Sequence, residues 1–289
     1  MKIAVLIPVY NAEKYLRECL DSVLANAGVD IFAADDGSED GSVGILEEYA
    51  AKNPRVHFSI HENVGVSKTR NGLLDALSAD YDVVGFVDSD DWIEPDMYAK
   101  LSAALLRDDA DVVDCGVWSG DAAKAPNWIN VVNKLYRRTV IDGVRFRAGL
   151  AFEEDNFFNR EVNRNVRKRT AVNEPLYHYR DNPNSSTSVL SMRSYVESVA
   201  ERVRLTLEIF GPSSELAKDA YRMMIRKNLK KNKDSVMRRE LFLFAGLALR
   251  RFETEYGFSP AGLNLMQKMI YRCCLQGNHA LANILIYLT

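Results

Sequence analysis

The stretch DVVGFVDSDDWIEP, residues 82–95, joins a short apolar run to a dense group of acids. The run is rich in β-branched and aromatic residues, which predicts a buried β-strand over 82–87. Asp88, Asp90 and Asp91 follow at the carboxyl end of this strand. Acids this close together raise one another's pKa unless a positive group lies among them. The stretch therefore predicts a turn that binds a cation at the end of a buried strand.

Outward from this strand, apolar runs alternate with segments of helical periodicity. Strands are predicted at 3–9, 29–34, 56–60, 82–87 and 111–118, with a helix after each of the first four. Such alternation predicts an α/β, Rossmann-like fold whose mostly parallel sheet is covered by helices and binds ligands at the carboxyl ends of its strands. Polar clusters stand at those ends: Tyr10 with Asn11, Asp35 with Asp36, Glu62 with Asn63, and Asp88 to Asp91. Asn11 is also expected to cap the first helix.

Composition narrows the class of protein. The chain has 289 residues and four cysteines without metal-ligand spacing, so a disulfide framework or a zinc site is not expected. The apolar run at the amino terminus is too short for a signal peptide, and no segment reaches the roughly 20 apolar residues that span a bilayer. Residues 1–120 carry 23 acids and 9 bases, whereas residues 121–289 carry 17 acids and 28 bases. The basic half suggests contact with something anionic.

The first turn of the predicted sheet lacks the usual residues for binding phosphate, so we ask how the acidic turn could bind it instead. Residues 8–12, PVYNA, contain no glycine, so they do not form the glycine-rich loop that holds phosphates in many nucleotide-binding proteins. Carboxylates bind a hard divalent cation, which bridges to phosphate oxygens. We therefore predict Mn²⁺ or Mg²⁺ at Asp90, with Asp88 and Asp91 as further ligands, holding a diphosphate. The alternative is a solvated turn whose acids favour the start of the following helix, which is the role expected for Glu94 and Asp96.

Seven blocks of the chain resemble the family 2 glycosyltransferases in the order that the family shows. They are IPVYNAEKYLRECLDSVL (7–24), ADDGSEDGS (34–42), ENVGVSKTRN (62–71), FVDSDDWIEPDM (86–97), NKLYRR (133–138), FEEDNFF (152–158) and LYHYRDNPNSST (176–187). The resemblance implies the GT-A fold. It also implies inverting transfer of a sugar from a nucleotide-diphosphate donor, here expected to be a UDP-sugar, to a growing cell-surface glycan or a lipid-linked acceptor.

The resemblance also assigns roles to single residues. Those expected to bind the nucleotide-sugar are Pro8, Val9, Tyr10, Asp35, Asp36, Arg70, Asp88 and Ser89. Asp155 is the expected catalytic base, with Glu154 orienting it or the acceptor. Arg70 is expected near the diphosphate or in support of the acidic turn. Contacts to the diphosphate or the acceptor are expected from His178, Arg180 and Trp92.

The domain prediction follows the same resemblance. A GT-A domain is expected over 1–190, with a nucleotide-sugar-binding half, 1–118, and an acceptor half, 119–190. Residues 191–289 are expected to form a helical extension. Its basic segment precedes an apolar one, which favours docking on an anionic membrane surface or packing in a homodimer. Nucleic acid is not an expected partner, because no aromatic residues stand between Lys227 and Arg239. The expected location is the cytoplasm, at the inner face of the membrane.

Two other functions fit parts of the pattern. An apolar strand followed by DxD also occurs in haloacid-dehalogenase-type phosphatases, with Asp88 as nucleophile and Asp90 beside it. Those enzymes need Thr or Val where this chain has Trp92. The other alternative is a catalytically inactive GT-A module that only binds its ligand.

Overall fold

A computed structural model describes residues 1–126, 130–148 and 154–182, together with Arg204, Thr254, Met269 and Arg272. Nearly all of these residues belong to one compact unit, which comprises Met1–Ala148 and Glu153–Ser188. Apart from the four single positions, the predictions for residues 191–289 lie outside the described residues, and so do the contacts expected of that segment. Among the helices that are described, none is long and apolar enough to cross a bilayer.

Within the described residues, nine strands form one sheet. The strands are β1 (Ile3–Val9), β2 (Val29–Asp35), β3 (Val56–Ile60), β4 (Val83–Phe86), β5 (Trp92–Ile93), β6 (Val112–Ser119), β7 (Ala122–Lys124), β8 (Lys134–Arg137) and β9 (Arg169–Tyr179). The helices are α1 (Leu16–Leu24), α2 (Ser42–Lys52), α3 (Val66–Ala76), α4 (Met97–Arg107), α5 (Arg138–Ile141) and α6 (Glu154–Val162).

The sheet has the order β3-β2-β1-β4-β8-β6-β9-β5, and β7 pairs with β6. The first four strands in this order are parallel, as the alternation of strands and helices predicted. Beyond β4 the sheet is mixed, because β8 runs antiparallel to both β4 and β6, while β9 runs parallel to β6. The predicted α/β fold is therefore confirmed, and the predominance of parallel pairing holds for its amino-terminal half.

The central strands β1 and β4 contain no charged residue and lie in the core. All seven residues of β1 and all four of β4 are buried, and helix α1 packs its apolar residues at helical spacing into the same core. The register aligns Val9 at the end of β1 with Asp35 at the end of β2, and Asp35 with Ile60 at the end of β3. The polar clusters that follow these strands therefore meet at one edge of the sheet, as predicted.

The prediction that Asn11 caps the first helix is wrong. Asn11 has a φ of 46°, and α1 begins later, at Leu16. The Asn11 Oδ1 accepts a hydrogen bond from the backbone N–H of Glu39 (2.8 Å), and its own N–H donates to the Ser38 Oγ (2.9 Å). Asparagine tolerates this left-handed conformation better than most residues, and here it links the turn after β1 to the turn after β2.

Gly85 in β4 provides a test of packing in the centre of the sheet. A Cβ atom added at Gly85 would lie 2.6 Å from the Oη of Tyr98, whose side chain is fully buried. We expect Gly85→Ala to lower the free energy of unfolding by about 1–3 kcal/mol, because the ring cannot move aside. Urea unfolding would measure this loss. The matched control is Gly44→Ala in α2, where nothing lies within 4 Å and alanine should instead stabilise the helix by roughly 0.5–1 kcal/mol. Equal effects at the two positions would contradict the packing argument.

Candidate active site

One arginine lies among the acidic residues at the carboxyl ends of the strands. Arg70, on α3, has a side chain that is only 3% exposed and lies over the ring of Phe146. Its Nη2 donates to the Oδ1 of Asp88 (2.8 Å). Its Nη1 donates to both Glu154 Oε1 and Asp155 Oδ1, each at 2.9 Å. The guanidinium therefore joins the turn after β4 to the first residues of α6.

This arrangement was only partly predicted. The sequence placed Arg70 near the diphosphate or in support of the acidic turn, and its contact with Asp88 fits the second role. The contacts with Glu154 and Asp155 were missed, because they join residues 84 and 85 positions apart in the chain. The sequence held one sign of these contacts: Arg70 lies on the apolar side of a helix, one turn before Leu73 and Leu74. All three residues are buried.

Three carboxylates share this one positive charge, and the pKa of Asp155 reflects their competition for it. Burial raises the pKa of Asp155 to about 7; Arg70 lowers it, but the charges of Glu154 and Asp88 oppose Arg70. Burial alone would lower the pKa of Arg70, yet the three carboxylates raise it well above its usual value, so the guanidinium stays charged. Asp155 keeps 20% of its side chain exposed, and its Oδ2 accepts a hydrogen bond from the backbone N–H of Val131. Asp155 is thus a carboxylate held in place by hydrogen bonds, with a pKa above that of an ordinary aspartate.

The acids of the turn after β4 differ in their exposure to solvent. Asp88, Ser89 and Asp90 are partly exposed. The Asp90 Oδ2 accepts a hydrogen bond from the side chain of Asn182 (2.9 Å), and burial together with the charge of Asp88 raises the pKa of Asp90. Asp91 is 1% exposed and turns into the protein, where Tyr177 Oη and the backbone N–H of Arg180 donate to its two oxygens.

The prediction of Asp91 as a metal ligand therefore does not fit the structure, because both of its oxygens are taken by protein donors. Burial, followed by the charge of Asp88, raises the pKa of Asp91 to about 8. Across the described ranges, no group of three or more His, Cys, Asp or Glu side chains is arranged to hold a metal ion. Asp88 and Asp90 remain as a pair of carboxylates two residues apart.

The turns after β1 and β2 form the part of the edge where the nucleotide was predicted. Pro8 and Val9 are buried within the sheet, whereas Tyr10 is 51% exposed. The Asp35 Oδ1 accepts hydrogen bonds from the backbone N–H groups of Gly37 and Ser38. Its Oδ2 is buried and has no hydrogen-bond partner among the described residues.

Asp36 has a different environment from Asp35. Its two oxygens accept hydrogen bonds from the backbone N–H groups of Val64 (2.7 Å) and Gly65 (2.9 Å). The side chain is almost fully buried, and its contacts hold the loop after β3 against the end of β2. Asp35 therefore keeps one buried oxygen without a partner, whereas both oxygens of Asp36 are engaged by the backbone.

The end of β9 brings Arg180 to the acidic turn. Its Nε donates to the backbone carbonyl of Asp90 (2.7 Å), and its guanidinium lies over the rings of Trp92 (4.3 Å) and Tyr15 (4.7 Å). His178 faces another way, because its imidazole stacks on Trp92 and its Nε2 lies 2.8 Å from the Glu94 carboxylate. Of the three residues predicted to contact the diphosphate or the acceptor, Arg180 is the one whose own side chain bonds to the turn. Sequence reasoning assigned no contact in the site to Tyr15, Tyr177 or Asn182.

The fold and the sequence are similar to those of known proteins. The chain is 29% identical to the glycosyltransferase GlyA of Streptococcus pneumoniae over 266 residues, which cover 79% of this chain and 38% of GlyA. A crystal structure of S. aureus TarS 1–349 in complex with UDP-GlcNAc matches with a TM-score of 0.73 at 16% identity, covering 99% of this chain and 91% of that one. The mannosyltransferase PcManGT from Pyrobaculum calidifontis, solved with GDP-Man and Mn²⁺, matches with a TM-score of 0.55 at 12% identity, covering 98% and 87%.

These likenesses show a GT-A fold, as the sequence resemblance implied. The chain spans between 38% and 63% of the length of four curated relatives that it matches. The family description "Glycosyl transferase family 2" matches residues 4–179. Because that match covers more than half of the sequence and includes every predicted site residue except Arg180, the chain belongs to the family 2 glycosyltransferases.

Proposed function

We propose that this chain transfers a sugar, with inversion, from a nucleotide-diphosphate donor to a hydroxyl group of a glycan or lipid-linked acceptor. The observation that carries the proposal is the contact of Arg70 with both Asp88 and Asp155. This contact brings a carboxylate suited to act as a base next to the turn predicted to hold the donor. Family membership supports the reaction class.

In the proposed reaction, Asp155 takes the proton of the acceptor hydroxyl as its oxygen attacks the anomeric carbon of the donor. A pKa raised to about 7 suits this role, because such a carboxylate is a stronger base than an ordinary aspartate and still loses its proton near neutral pH. Val131 and Arg70 fix the orientation of the carboxylate through one hydrogen bond to each oxygen. Glu154, on the same guanidinium nitrogen, helps to hold Arg70 in place.

The residues of the acidic turn fit a hard divalent cation. Asp88 and Asp90 are partly exposed carboxylates, and burial beside Asp88 makes the ionised form of Asp90 costly, a cost that a bound cation would relieve. We infer that these two side chains would hold Mn²⁺ or Mg²⁺, as Mn²⁺ accompanies GDP-Man in the PcManGT structure. When bound, the ion would neutralise charge on the departing diphosphate. Arg180 lies beside the same turn and would add a positive charge there.

The nucleotide is proposed to lie between Tyr10 and Asp35. The Oδ2 of Asp35 is buried without a partner, which costs free energy. A hydrogen-bond donor of the base that reached this oxygen would remove that cost. The ring N–H of uracil, thymine or guanine supplies one, whereas the corresponding nitrogen of cytosine is an acceptor. TarS was solved with UDP-GlcNAc, which supports uracil among these bases. The exposed ring of Tyr10 is available to pack against the base.

Thermal unfolding with UDP, GDP, CDP and dTDP, each with and without Mn²⁺, tests this proposal. A ligand at a hundred times its dissociation constant stabilises the folded state by about 2.7 kcal/mol, which is visible as a higher Tm. We expect UDP with Mn²⁺ to raise the Tm, CDP not to do so, and Asp90→Ala to abolish the dependence on Mn²⁺. The control is Asp109→Ala, which removes an exposed acid outside the acidic turn. A chain that no nucleotide stabilises would contradict the proposed function.

The comparisons give no support to the phosphatase or to the inactive module. The phosphatase would use Asp88 as a nucleophile, yet the Oδ1 of Asp88 is bound by a buried guanidinium. A module without catalysis would not need Asp155 to be held beside the donor turn. The acceptor, the location in the cell and the contact with an anionic membrane surface stay predictions from the sequence.

A further inference from the structure

A row of three rings crosses neighbouring strands near the carboxyl edge of the sheet. Trp92 on β5 and Trp118 on β6 are both register partners of His178 on β9. The imidazole stacks on Trp92 with 4.7 Å between ring centroids, and on Trp118 with 6.3 Å between them. The Glu94 carboxylate lies 2.8 Å from the Nε2 of His178 and holds the middle ring in place. The row is therefore a fixed aromatic surface.

One end of the row lies beside the donor turn. Arg180, whose Nε donates to the carbonyl of Asp90, lies over the ring of Trp92 at 4.3 Å from its centroid. Arg180 and His178 are both too close to this indole to share one of its faces, so they occupy its two faces. Trp92, which the sequence resemblance placed at the diphosphate or the acceptor, therefore has no face left for a ligand.

Trp118, at the other end of the row, has a different environment. One face of its indole meets His178, and its strand neighbour on the other side is Ala123 of β7. Ala123 is exposed, and its methyl group covers little of an indole. Trp118 is itself partly exposed, and within the described ranges no second ring or cation lies over it. This leaves one face of Trp118 for a ligand.

Trp118 and Asp155 lie on the same side of the sheet and at the same edge. Residues alternate between faces along a strand, so Trp118 shares its face with Val112 and with Tyr136, the partner of Val112 on β8. The Tyr136 hydroxyl donates to Asn159 of α6 (2.7 Å), so α6, which carries Asp155 in its first turn, covers this face. Strand β6 runs in the same direction as β4, because both are antiparallel to β8, so both strands end at the edge of the donor turn.

We propose that the open face of Trp118 stacks on a sugar ring of the acceptor, so that the acceptor is a saccharide rather than a lipid phosphate without sugar. This inference rests on the proposed function and names the acceptor class for it. An aromatic face carries partial negative charge, which attracts the C–H groups on one side of a pyranose ring. The same hairpin carries the exposed polar side chains Asp121 and Lys124, which are available to sugar hydroxyl groups.

The test measures initial rates of sugar transfer by the full chain with Mn²⁺ and a UDP-sugar. The acceptor probes are the octyl glycosides of glucose, galactose, mannose, N-acetylglucosamine and N-acetylgalactosamine, and undecaprenyl phosphate is the probe without sugar. We expect transfer to at least one glycoside. Trp118→Ala should raise the KM for that glycoside about tenfold or more, because a stacked ring is lost. The KM for the UDP-sugar should stay within about twofold, because Trp118 does not contact the donor turn.

Two further variants separate stacking from packing. Trp118→Phe keeps an aromatic face and should restore most of the affinity for the glycoside. Trp118→Leu keeps apolar bulk without an aromatic face, so it should resemble Trp118→Ala. A residue that only supported the fold would instead change both KM values together. The Tm of each variant would confirm that it is folded at the temperature used.

The outcomes separate this inference from the function on which it rests. An unchanged acceptor KM in Trp118→Ala, or equal acceptor KM values in Trp118→Phe and Trp118→Leu, would overturn the stacking role of Trp118. Transfer to undecaprenyl phosphate alone, or to no probe by a chain that binds UDP, would overturn the acceptor class and leave the donor site standing. A chain that binds no nucleotide would contradict the proposed function itself.

Discussion

Asp155→Asn is expected to lower the rate of sugar transfer by about 100- to 10,000-fold, which is the range for loss of a general base. The asparagine keeps much of the shape of the side chain, but its single acceptor oxygen can serve either Arg70 or Val131, and it cannot take the acceptor's proton. Binding of UDP, measured as a rise in Tm, should be retained. The rate would be measured as the release of UDP from UDP-sugars in the presence of Mn²⁺.

The pH dependence of the wild-type rate provides a second check on the same residue. The pKa of Asp155 is raised to about 7, and the base must be ionised to act, so the rate should rise with pH through about 7 and level off above it. An aspartate at its ordinary pKa would already be ionised at pH 6 and would give no such rise. Glu154→Gln is the matched variant: its rate should still rise with pH, but at a lower pH than in wild type, because the charge of Glu154 raises the pKa of Asp155. A rate in Asp155→Asn within threefold of wild type would exclude Asp155 as the base.

Arg70→Met is expected to cost about 3–5 kcal/mol of unfolding free energy, because it leaves buried carboxylates without their cation. The side chain is 3% exposed, and three carboxylates depend on it. Urea unfolding at pH 8 would measure the loss. At pH 5 the loss should be smaller, because protonation of the carboxylates removes part of the repulsion that Arg70 offsets.

The control for this variant is Arg17→Met, which removes an arginine whose ion pair with Glu48 is exposed to solvent. Pairs of this kind contribute little, so the unfolding midpoint should hardly change. If Arg70→Met and Arg17→Met were equally stable, the carboxylates near Arg70 would not depend on its charge, and the account of the site would be wrong.

The fold could be predicted from the sequence as far as local patterns reach. The strands β1 and β4 are charge-free runs, so their positions and the polar residues that follow them were visible directly. The mixed half of the sheet was not, because β5 and β7 are two and three residues long and the direction of β8 depends on its neighbours. Asn11 was misjudged because a preferred capping residue is also one that tolerates a positive φ.

The candidate site could be predicted by residue type but not by contact. Asp88 and Asp91 are both acids of one turn, yet Asp88 bonds to Arg70 and Asp91 bonds to Tyr177, which comes 86 residues later. Asp35 and Asp36 are adjacent in sequence, and only the structure distinguishes the carboxylate with an unpartnered oxygen from the one that holds a loop. Such distinctions depend on pairings across the sheet, which sequence spacing does not reveal.

The stereochemistry of the product is the sharpest test of a single displacement in which Asp155 is the base. With a donor whose UDP release depends on Asp155, proton NMR of the product reports the configuration at the transferred anomeric carbon. A single displacement assisted by Asp155 predicts the inverted configuration, so an α-linked donor should give a β-linked product. A product that keeps the configuration of the donor would contradict the proposed role of Asp155.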